Sequence, residues 1–393
     1  MVKGSRHRPG VERWHSLTGR IGRTADVDGN RMYESSACAR TALPCKRLSW
    51  LPSRRLIRRA VVSLSLLILI AAGVGAGAYS HLQDNVRVLD VENKMGSKRP
   101  VKYVREARNI LVVGSDTRKG ANSKYGHTLE GMQSDTLMII HIAANREWAA
   151  IVSIPRDSYV SIPACDRGDG THSAPLRFKI NAAYAIGGSR GDVGGAVACT
   201  MRTIEANTGL RMDHFAVVDF QGFKSMVNSL GGIKICLEEE INDTNARVHL
   251  DAGCQTVEDE KALGYVRARY SIGNGSDTER IVRQQEFMKA LADQVEQKLT
   301  SPRALYGFLD AVTDSLTLDK ELADVTLLHD IVVSLRTIPR RRISFVTVPN
   351  YPRELDVPTD KANVVWRYPQ AQTLFSSLIA DREVNFEGLK LAK

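Results

Sequence analysis

Residues 109–118 read NILVVGSDTR, an apolar run that ends in a glycine, a serine and a charged pair. Short apolar runs of this kind predict β-strands, at 110–113, 137–142, 149–154, 215–220, 233–237 and 343–348. Helical spacing of apolar residues lies between them, at 193–207, 221–230, 281–299 and 322–335. Nearly continuous apolar strands that alternate with helices predict a layered α/β domain.

The positive charge of the chain is concentrated at its N-terminus. Residues 1–59 contain fourteen Lys or Arg and four Asp or Glu, whereas the remaining residues are balanced at 40 against 40. We predict a mostly disordered tail that is attracted to anionic lipid headgroups. Because the tail shows no aromatic interleaving and no finger motif, we expect no nucleic-acid partner.

Residues 60–79 read AVVSLSLLILIAAGVGAGAY and contain no charge. A helix of this length spans the hydrocarbon core of a bilayer, so we predict one transmembrane helix. The arginines beside it, Arg54, Arg55, Arg58 and Arg59, place the N-terminus in the cytoplasm by the positive-inside rule. The alternative is a cleaved secretory signal, but both the basic region and the apolar run exceed the usual lengths.

This topology predicts the domain organisation and the redox setting. We expect a cytoplasmic tail (1–59), a single span of the cell membrane (60–79), an extracytoplasmic stalk (80–105) and an exported domain (106–393). Four cysteines, Cys165, Cys199, Cys236 and Cys254, would lie outside, where disulfides form. Three pairings are possible, and we favour Cys165 with Cys199 and Cys236 with Cys254. The absence of CxxC spacing argues against a metal site at these cysteines.

Charged residues follow several predicted strands. Asp116 and Arg118 end the first run, Asp135 opens the next, and Arg156 with Asp157 follows the third. Open α/β sheets bind ligands where strands emerge. Carboxylates hold divalent cations and arginines hold phosphate oxygens, so the set predicts a diphosphate-bearing substrate. Any one of these residues alone could equally be a loop charge or an ion pair.

Arg267 and Arg269 admit two interpretations. If residues 265–271 are extended, the two guanidinium groups lie on one face about 7 Å apart and can share an anion. If the preceding helix continues through them, their side chains diverge.

Further along, Arg280 and Gln284 share one helix face, and either an anion site or an ordinary solvated face would explain them. Lys179 is similarly ambiguous alone.

Other catalytic signatures have little support. The chain has no Walker A loop and no HExxH pair. Residues 187–191 match GxSxG, but no convincing strand precedes the serine, which argues against a serine hydrolase. We expect His141, His214 and His249 to be structural.

Seven blocks of sequence in order resemble the LytR-CpsA-Psr family. They are NILVVGSDTR, MQSDTLMIIHI, AAIVSIPRDSYVSIP, FKINAAYAIGG, HFAVVDFQGFKSMVNSLGGI, GYVRARYS and DTERIVRQQEFM, from Asn109 to Met288, with a fainter continuation to Pro349. The resemblance implies a layered α-β-α domain with a central mixed sheet behind one transmembrane helix. It also implies a membrane-anchored phosphotransferase that moves a glycopolymer from a polyprenyl diphosphate carrier to peptidoglycan.

The resemblance further implies a role for each matching residue. Asp116 and Asp135 would hold Mg²⁺ (or Mn²⁺). The phosphate oxygens would bind to Arg118, Arg156, Lys179, Arg267, Arg269, Arg280 and Gln284. Asp116, Asp135, Arg156, Arg267 and Arg269 would be catalytic, and an apolar groove would hold the polyprenyl tail.

The reaction that this resemblance implies is a phosphoryl transfer that uses no nucleotide. A sugar hydroxyl would attack the sugar-proximal phosphorus, and polyprenyl phosphate would leave. Asp116 and Asp157 are the candidates for the base that takes the hydroxyl proton. Two alternatives stay open, a polyprenyl diphosphate phosphatase that uses water and a non-enzymatic lipid-binding or regulatory protein.

Overall fold

A computed structural model describes residues 54–116, 134–268 and 277–384 of the protein. The predicted site residues Arg118 and Arg269 lie outside these ranges, as do Cys38, Cys45 and most of the basic tail. The contacts within the chain divide it into Met1–Ser63 and Leu64–Lys393. In the first of these units the described residues form the first turns of one helix.

The described residues form ten α-helices and fifteen strands. The helices are α1 Arg54–Asn85, α2 Glu92–Met95, α3 Ala182–Gly187, α4 Val193–Thr208, α5 Phe220–Ser229, α6 Asp259–Arg267, α7 Asp277–Lys298, α8 Pro302–Ser315, α9 Val325–Thr337 and α10 Gln370–Ile379. The strands are β1 Arg87–Leu89, β2 Arg108–Ser115, β3 Ser134–Ile142, β4 Ala149–Ile154, β5 Tyr159–Ile162, β6 Leu176–Lys179, β7 His214–Val218, β8 Ile233–Leu237, β9 Ile241–Asp243, β10 Val248–Leu250, β11 Gly253–Val257, β12 Leu316–Asp319, β13 Ile343–Thr347, β14 Asn350–Pro352 and β15 Val364–Trp366.

A seven-stranded mixed sheet is the centre of the fold, with the strand order β1-β12-β7-β2-β3-β4-β13. β2 pairs in parallel with β7 and antiparallel with β3, and β4 pairs antiparallel with β3 and in parallel with β13. The end of β2, the start of β3 and the end of β4 therefore meet at one end of the sheet. Four small two-stranded sheets accompany it.

Helices cover both faces of the central sheet. Along β2, Leu111 and Val113 belong to one buried cluster and Ile110 to the other, as the period of two along a strand requires. The first cluster contains residues of α3, α4 and α10, and the second contains residues of α5 to α9. The predicted layered α-β-α architecture with a central mixed sheet is confirmed.

The predicted strands and helices are present, with differences at their ends and in their partners. The run 215–220 was predicted as one strand, but β7 ends at Val218 because the Asp219 carboxylate accepts a hydrogen bond from Gly222 N and begins α5. α9 begins at Val325 rather than at residue 322, with Asp324 as its N-cap. β8 lies outside the central sheet and pairs with β11.

Two disulfides join the four cysteines in the favoured pairing. Cys165 is bonded to Cys199 and Cys236 to Cys254. The first bond ties the loop after β5 to α4 and is buried, whereas the second joins directly paired residues of the two-stranded antiparallel sheet of β8 and β11.

Among the described residues, α1 is the one helix that is long and apolar enough to cross a membrane. Residues 80–105 were predicted to be a stalk, but several of them pack in the cores of the folded unit or pair with its central sheet. Leu82 packs in one core cluster, and Val91 and Met95 pack in the other. β1 pairs in parallel with β12 at the edge of the central sheet.

Candidate active site

A cavity of about 720 Å³ lies between the central sheet and the helices α5 to α9. Most of its wall is apolar, with Phe287, Leu291 and Val295 from α7, Phe308 and Val312 from α8, and Leu328, Ile331 and Leu335 from α9. Its polar lining includes Asp116, Asp135, Arg156, Arg267, Arg280 and Gln284. Six of the predicted site residues are thus brought together at one cavity.

Strand register explains how β2 places Asp116 there. Ile110, Val112 and Gly114 line the cavity, and Asp116 continues the same alternation one residue beyond the strand. Ser115 is buried, and its Oγ lies 3.4 Å from the hydroxyl of Tyr184 on α3. Burial raises the pKa of Tyr184, more than the hydrogen bond to Ser115 lowers it, so the hydroxyl stays protonated as a donor.

A β-bulge places Asp135. Gly114 pairs with Thr136, but the next residue, Ser115, pairs with Ser134, so β3 carries one extra residue at Asp135. A bulge changes the direction of a side chain, and here both Asp135 and Thr136 line the cavity. Gly114 stands at the register shift and is the local sign of a bulge, but it does not show that Asp135 is the extra residue.

Arg156 reaches Asp135 across two neighbouring strands. β3 and β4 are antiparallel with Leu137 opposite Ile154, so the residues beyond these positions face each other. Arg156 Nη1 lies 2.6 Å from Asp135 Oδ1, and both side chains are partly exposed, at 20% and 36%. Such a pair contributes about 1 kcal/mol or less, so Arg156 can exchange the carboxylate for a phosphate oxygen at little cost.

Asp157 and Lys179 lie behind this pair and are not among the residues that line the cavity. Lys179 Nζ donates to Asp157 Oδ1 at 2.6 Å, and Asp157 Oδ2 lies 3.7 Å from Arg156 Nε. Asp157 therefore has a cation at each of its oxygens. The geometry supports a positioning role for Asp157, and between the two candidate bases it favours Asp116, which lines the cavity.

Arg280 and Gln284 extend from the first turns of α7 to β3. Arg280 is 3% exposed, and its Nη2 donates to the backbone oxygen of Asp135 at 3.1 Å. One turn later, Gln284 Nε2 lies 3.2 Å from Thr136 Oγ1 and 3.3 Å from the backbone oxygen of Val266. The two side chains share one helix face, as the spacing predicts.

Arg267 is the last residue of α6, which decides between its two sequence interpretations. The chain is helical as far as Arg267. The prediction that Arg267 and Arg269 share one face of an extended segment over residues 265–271 is therefore wrong. Its guanidinium carbon lies 4.5 Å from the centre of the Phe220 ring, a cation–π contact that holds the side chain at the cavity. Phe220 is a supporting residue that sequence reasoning missed, since it was assigned to the end of a strand.

The cavity also has oxygen donors that suit a hard divalent cation. Asp116 and Asp135 both line it, and the described part of the chain holds no group of three or more His, Cys, Asp or Glu that could hold a metal by itself. Mg²⁺ is commonly bound by one or two carboxylates together with substrate phosphates. The residues present therefore fit Mg²⁺ that arrives with a diphosphate.

A comparison of the chain with protein families gives a match over most of its length. The model of the LytR_cpsA_psr family matches residues 78–376, which is most of the chain. The chain belongs to the LytR-CpsA-Psr family. In this LytR-CpsA-Psr protein the match begins within α1. It therefore includes residues 80–105, which were predicted to be a stalk.

Two curated relatives are proteins of the cell wall. The probable cell wall biosynthesis protein LcpB of Corynebacterium glutamicum is 32% identical over 251 residues, which cover 62% of this chain and 52% of LcpB. The polyisoprenyl-teichoic acid–peptidoglycan teichoic acid transferase TagT of Bacillus subtilis is 29% identical over 293 residues, 71% of this chain and 83% of TagT. The LytR-CpsA-Psr chain thus spans about half the length of LcpB.

Solved structures confirm the LytR-CpsA-Psr fold. The LytR-Csp2A-Psr enzyme from Actinomyces oris matches with a TM-score of 0.54 at 17% identity, over 75% of this chain and 96% of that one. TagT bound to LIIa-WTA matches with a TM-score of 0.53 at 21% identity, over 75% and 100%. At these identities the likeness concerns the fold alone.

Proposed function

We propose that the protein transfers a glycopolymer from a polyprenyl diphosphate carrier to a hydroxyl group of a peptidoglycan sugar. The observation that carries the proposal is the composition of one cavity, in which a long apolar wall ends at a group of arginines and carboxylates. A polyprenyl diphosphate has the matching structure, an apolar chain with an anionic head. Family membership and the cell-wall relatives support the same substrate class.

In this reaction the acceptor oxygen forms a bond to the sugar-proximal phosphorus. The bond from that phosphorus to the bridging oxygen breaks, and polyprenyl phosphate leaves. Negative charge spreads over the phosphate oxygens in the transition state, and catalysis depends on positioning and on neutralising that charge. We assign neutralisation to Arg156, Arg267 and Arg280. The hydroxyl proton would be taken up by the carboxylate oxygen of Asp116 that does not hold the ion.

We further propose that Asp116 and Asp135 hold Mg²⁺, or Mn²⁺, together with the diphosphate. The ion would neutralise charge on the phosphate oxygens. Arg118 and Arg269, which lie outside the described residues, are proposed as further phosphate ligands by their position in the family blocks. Lys179 contacts Asp157 and would act on the phosphates by orienting Arg156 through that carboxylate.

The proposed location is the cell membrane, with one pass through α1. Arginines precede the apolar part of α1, so the N-terminus would be cytoplasmic and the cavity extracytoplasmic. The two disulfides support this side of the membrane, because such bonds persist in oxidising compartments.

The test uses the full chain in proteoliposomes with a polyprenyl diphosphate-linked glycan and peptidoglycan fragments. We expect polymer–peptidoglycan adducts and polyprenyl phosphate in equal amounts, and loss of both after treatment with a chelator. Inorganic phosphate as the dominant product with acceptor present would favour the phosphatase alternative. Lipid binding without any bond cleavage would favour the non-enzymatic one.

A further inference from the structure

A small sheet beside the cavity carries two guanidinium groups on one tyrosine ring. β5 and β6 pair antiparallel with Tyr159 opposite Lys179, and Arg177, two residues earlier on β6, lies on the same face. The guanidinium carbon of Arg177 lies 5.3 Å from the centre of the Tyr159 ring, and that of Arg353 lies 3.9 Å from it. Cation–π contacts thus hold both arginines at Tyr159.

A second arginine and tyrosine pair continues this surface. The guanidinium carbon of Arg367 lies 5.2 Å from the centre of the Tyr351 ring. β15 adjoins the start of β5, since Val364 forms a bridge with Ser158 and the indole of Trp366 donates to Ser158 Oγ at 3.0 Å. We call the five residues of the two clusters the arginine–tyrosine face, namely Tyr159, Arg177, Arg353, Tyr351 and Arg367.

The arginine–tyrosine face has cationic groups available for an external anion. Its nearby carboxylates are engaged, Asp360 by Arg353 and Asp356 by the Tyr351 hydroxyl at 2.7 Å. Within the residues that the structure describes, Arg177 and Arg367 have no carboxylate partner. A guanidinium that stacks on a ring keeps its N–H donors for a carboxylate or a phosphate.

The arginine–tyrosine face is connected to the proposed active site through Lys179, which lies opposite Tyr159 in the β5–β6 sheet. None of its five residues lines the cavity. The contact between the two runs through Asp157, which lies 2.6 Å from Lys179 Nζ on the face side and 3.7 Å from Arg156 Nε on the cavity side. The arginine–tyrosine face is therefore linked to Arg156, a proposed phosphate ligand, by the contacts of Asp157 and Lys179.

The geometry of phosphoryl transfer decides which substrate meets this surface. The attacking and leaving oxygens lie roughly in line on opposite sides of the phosphorus. The lipid phosphate leaves on the side of the apolar cavity, so the attacking hydroxyl arrives from outside it. We propose that the arginine–tyrosine face binds the acceptor, a glycan strand that carries carboxylate groups. This inference rests on the proposed function.

The test compares Arg177→Ala with Arg303→Ala in the full chain in proteoliposomes. Arg303 on α8 is a matched control, an exposed arginine that likewise has no carboxylate partner among the described residues. We expect Arg177→Ala to raise the KM for peptidoglycan fragments roughly three- to tenfold, and the double variant Arg177→Ala/Arg367→Ala to raise it further. The affinity for polyprenyl diphosphate and the kcat should not change, and Arg303→Ala should behave as the unaltered protein.

Tyr159 provides the second arm. Tyr159→Phe keeps the ring that holds the guanidinium groups and should keep the acceptor KM, whereas Tyr159→Ala should raise it. An unchanged acceptor KM in the double variant would overturn the inference. A raised KM for the donor instead would show that the face binds the donor polymer, which also overturns it.

A failure of the proposed transferase function can be distinguished from a failure of the inference about the arginine–tyrosine face. In that case the unaltered protein forms no adduct, and direct binding of peptidoglycan fragments to the full chain without donor still tests the face. Binding that Arg177→Ala weakens and Arg303→Ala does not would support the inference. Equal binding by both variants would contradict it.

Discussion

Arg156 Nη1 and Asp135 Oδ1 form an ion pair at 2.6 Å across the ends of two antiparallel strands. The bulge in β3 turns Asp135 to the cavity, and the register of β3 with β4 brings Arg156 opposite it. Strand register thus joins the proposed phosphate ligand Arg156 and the proposed metal ligand Asp135 at one point. A diphosphate that enters the cavity would compete with Asp135 for Arg156.

This pair makes Arg156 the first residue to test. We expect Arg156→Ala to lower the transfer rate about 100-fold or more, since it removes a donor to the charge of the transition state. Arg156→Lys should recover part of the rate, because an ammonium keeps the charge but lacks the planar fork. The measurement is polymer attachment in proteoliposomes, with thermal unfolding as the check on folding. Attachment at the unaltered rate by Arg156→Ala would contradict the site assignment.

Gln284 and its neighbour Gln285 offer a matched comparison on one helix. Gln284 reaches Thr136 at the cavity, whereas Gln285 does not line it and donates to Thr347 Oγ1 at 2.9 Å. Each substitution by methionine removes one set of hydrogen bonds and should cost about 1 kcal/mol of stability. We expect only Gln284→Met to lower the transfer rate, roughly tenfold.

The two variants are measured in the same unfolding and transfer assays. Equal losses of transfer in Gln284→Met and Gln285→Met would show that the effect is structural. Unchanged transfer in Gln284→Met would remove this residue from the site.

The sequence was sufficient for the layers of the fold and for six predicted site residues that the structure brings to one cavity, because both depend on local patterns. The apolar runs predicted the strands of the central sheet that form the site. The charged residues at their ends include Asp116, Asp135 and Arg156, which line one cavity. The apolar groove itself was implied by the resemblance, since helices such as α7 and α8 give the same amphipathic pattern whether they cover a core or a cavity.

Features that depend on pairing between distant strands could not be predicted. The bulge at Asp135 arises only when β3 pairs with β2. Gly114 stands at the register shift, and a glycine within a strand can mark a bulge, but it does not show which residue of the partner strand is the extra one. Arg267 was undecided because a helix and a strand both accommodated its short segment. The arginine–tyrosine face joins β6 with residues more than 170 positions later in the chain, a contact that no local pattern contains.

The end of α1 is a part of the fold that the sequence interpretation assigned to a stalk. Leu82 is 4% exposed and packs in the core cluster on the cavity side, whereas Leu69 in the apolar span is 68% exposed. We expect Leu82→Ala to destabilise the full chain in detergent by about 2–4 kcal/mol, because it leaves a cavity in a packed core. Leu69→Ala is the matched control and should leave the unfolding midpoint unchanged. Equal unfolding midpoints of the two variants would indicate that residues 80–85 serve only as a linker.

The two disulfides should differ in their response to reductant. Cys165 and Cys199 are buried, and Cys236 and Cys254 are exposed. A mild reductant under native conditions should therefore open the exposed bond first, as mass spectrometry of alkylated protein would reveal. Replacing either pair by alanine should cost about 3 to 4 kcal/mol of unfolding free energy, slightly more for the bond that closes the longer loop. Simultaneous alkylation of all four cysteines at low reductant would contradict this order.

Asp319 should make the stability of the protein depend on acid pH. Its carboxylate lies 3.1 Å from His214 Nδ1 and accepts hydrogen bonds from the backbone N–H groups of Phe215 and Leu322 at 2.9 Å. Burial alone would raise the pKa of Asp319, but these hydrogen bonds and the His214 charge outweigh it and lower the pKa below the usual 3.8.

A carboxyl group whose pKa is lower in the folded state stabilises the fold above its unfolded pKa, and this contribution is lost as the pH falls through the folded pKa. We expect Asp319→Asn to reduce the unfolding free energy at pH 7 and to flatten its decrease below about pH 4. Urea unfolding between pH 7 and pH 3 measures both effects. Asp314→Asn, at an exposed position of α8, is the control and should leave the profile unchanged. A profile of Asp319→Asn that runs parallel to that of the unaltered protein would show that Asp319 does not carry the acid sensitivity, because its protonation would then have no effect on folding.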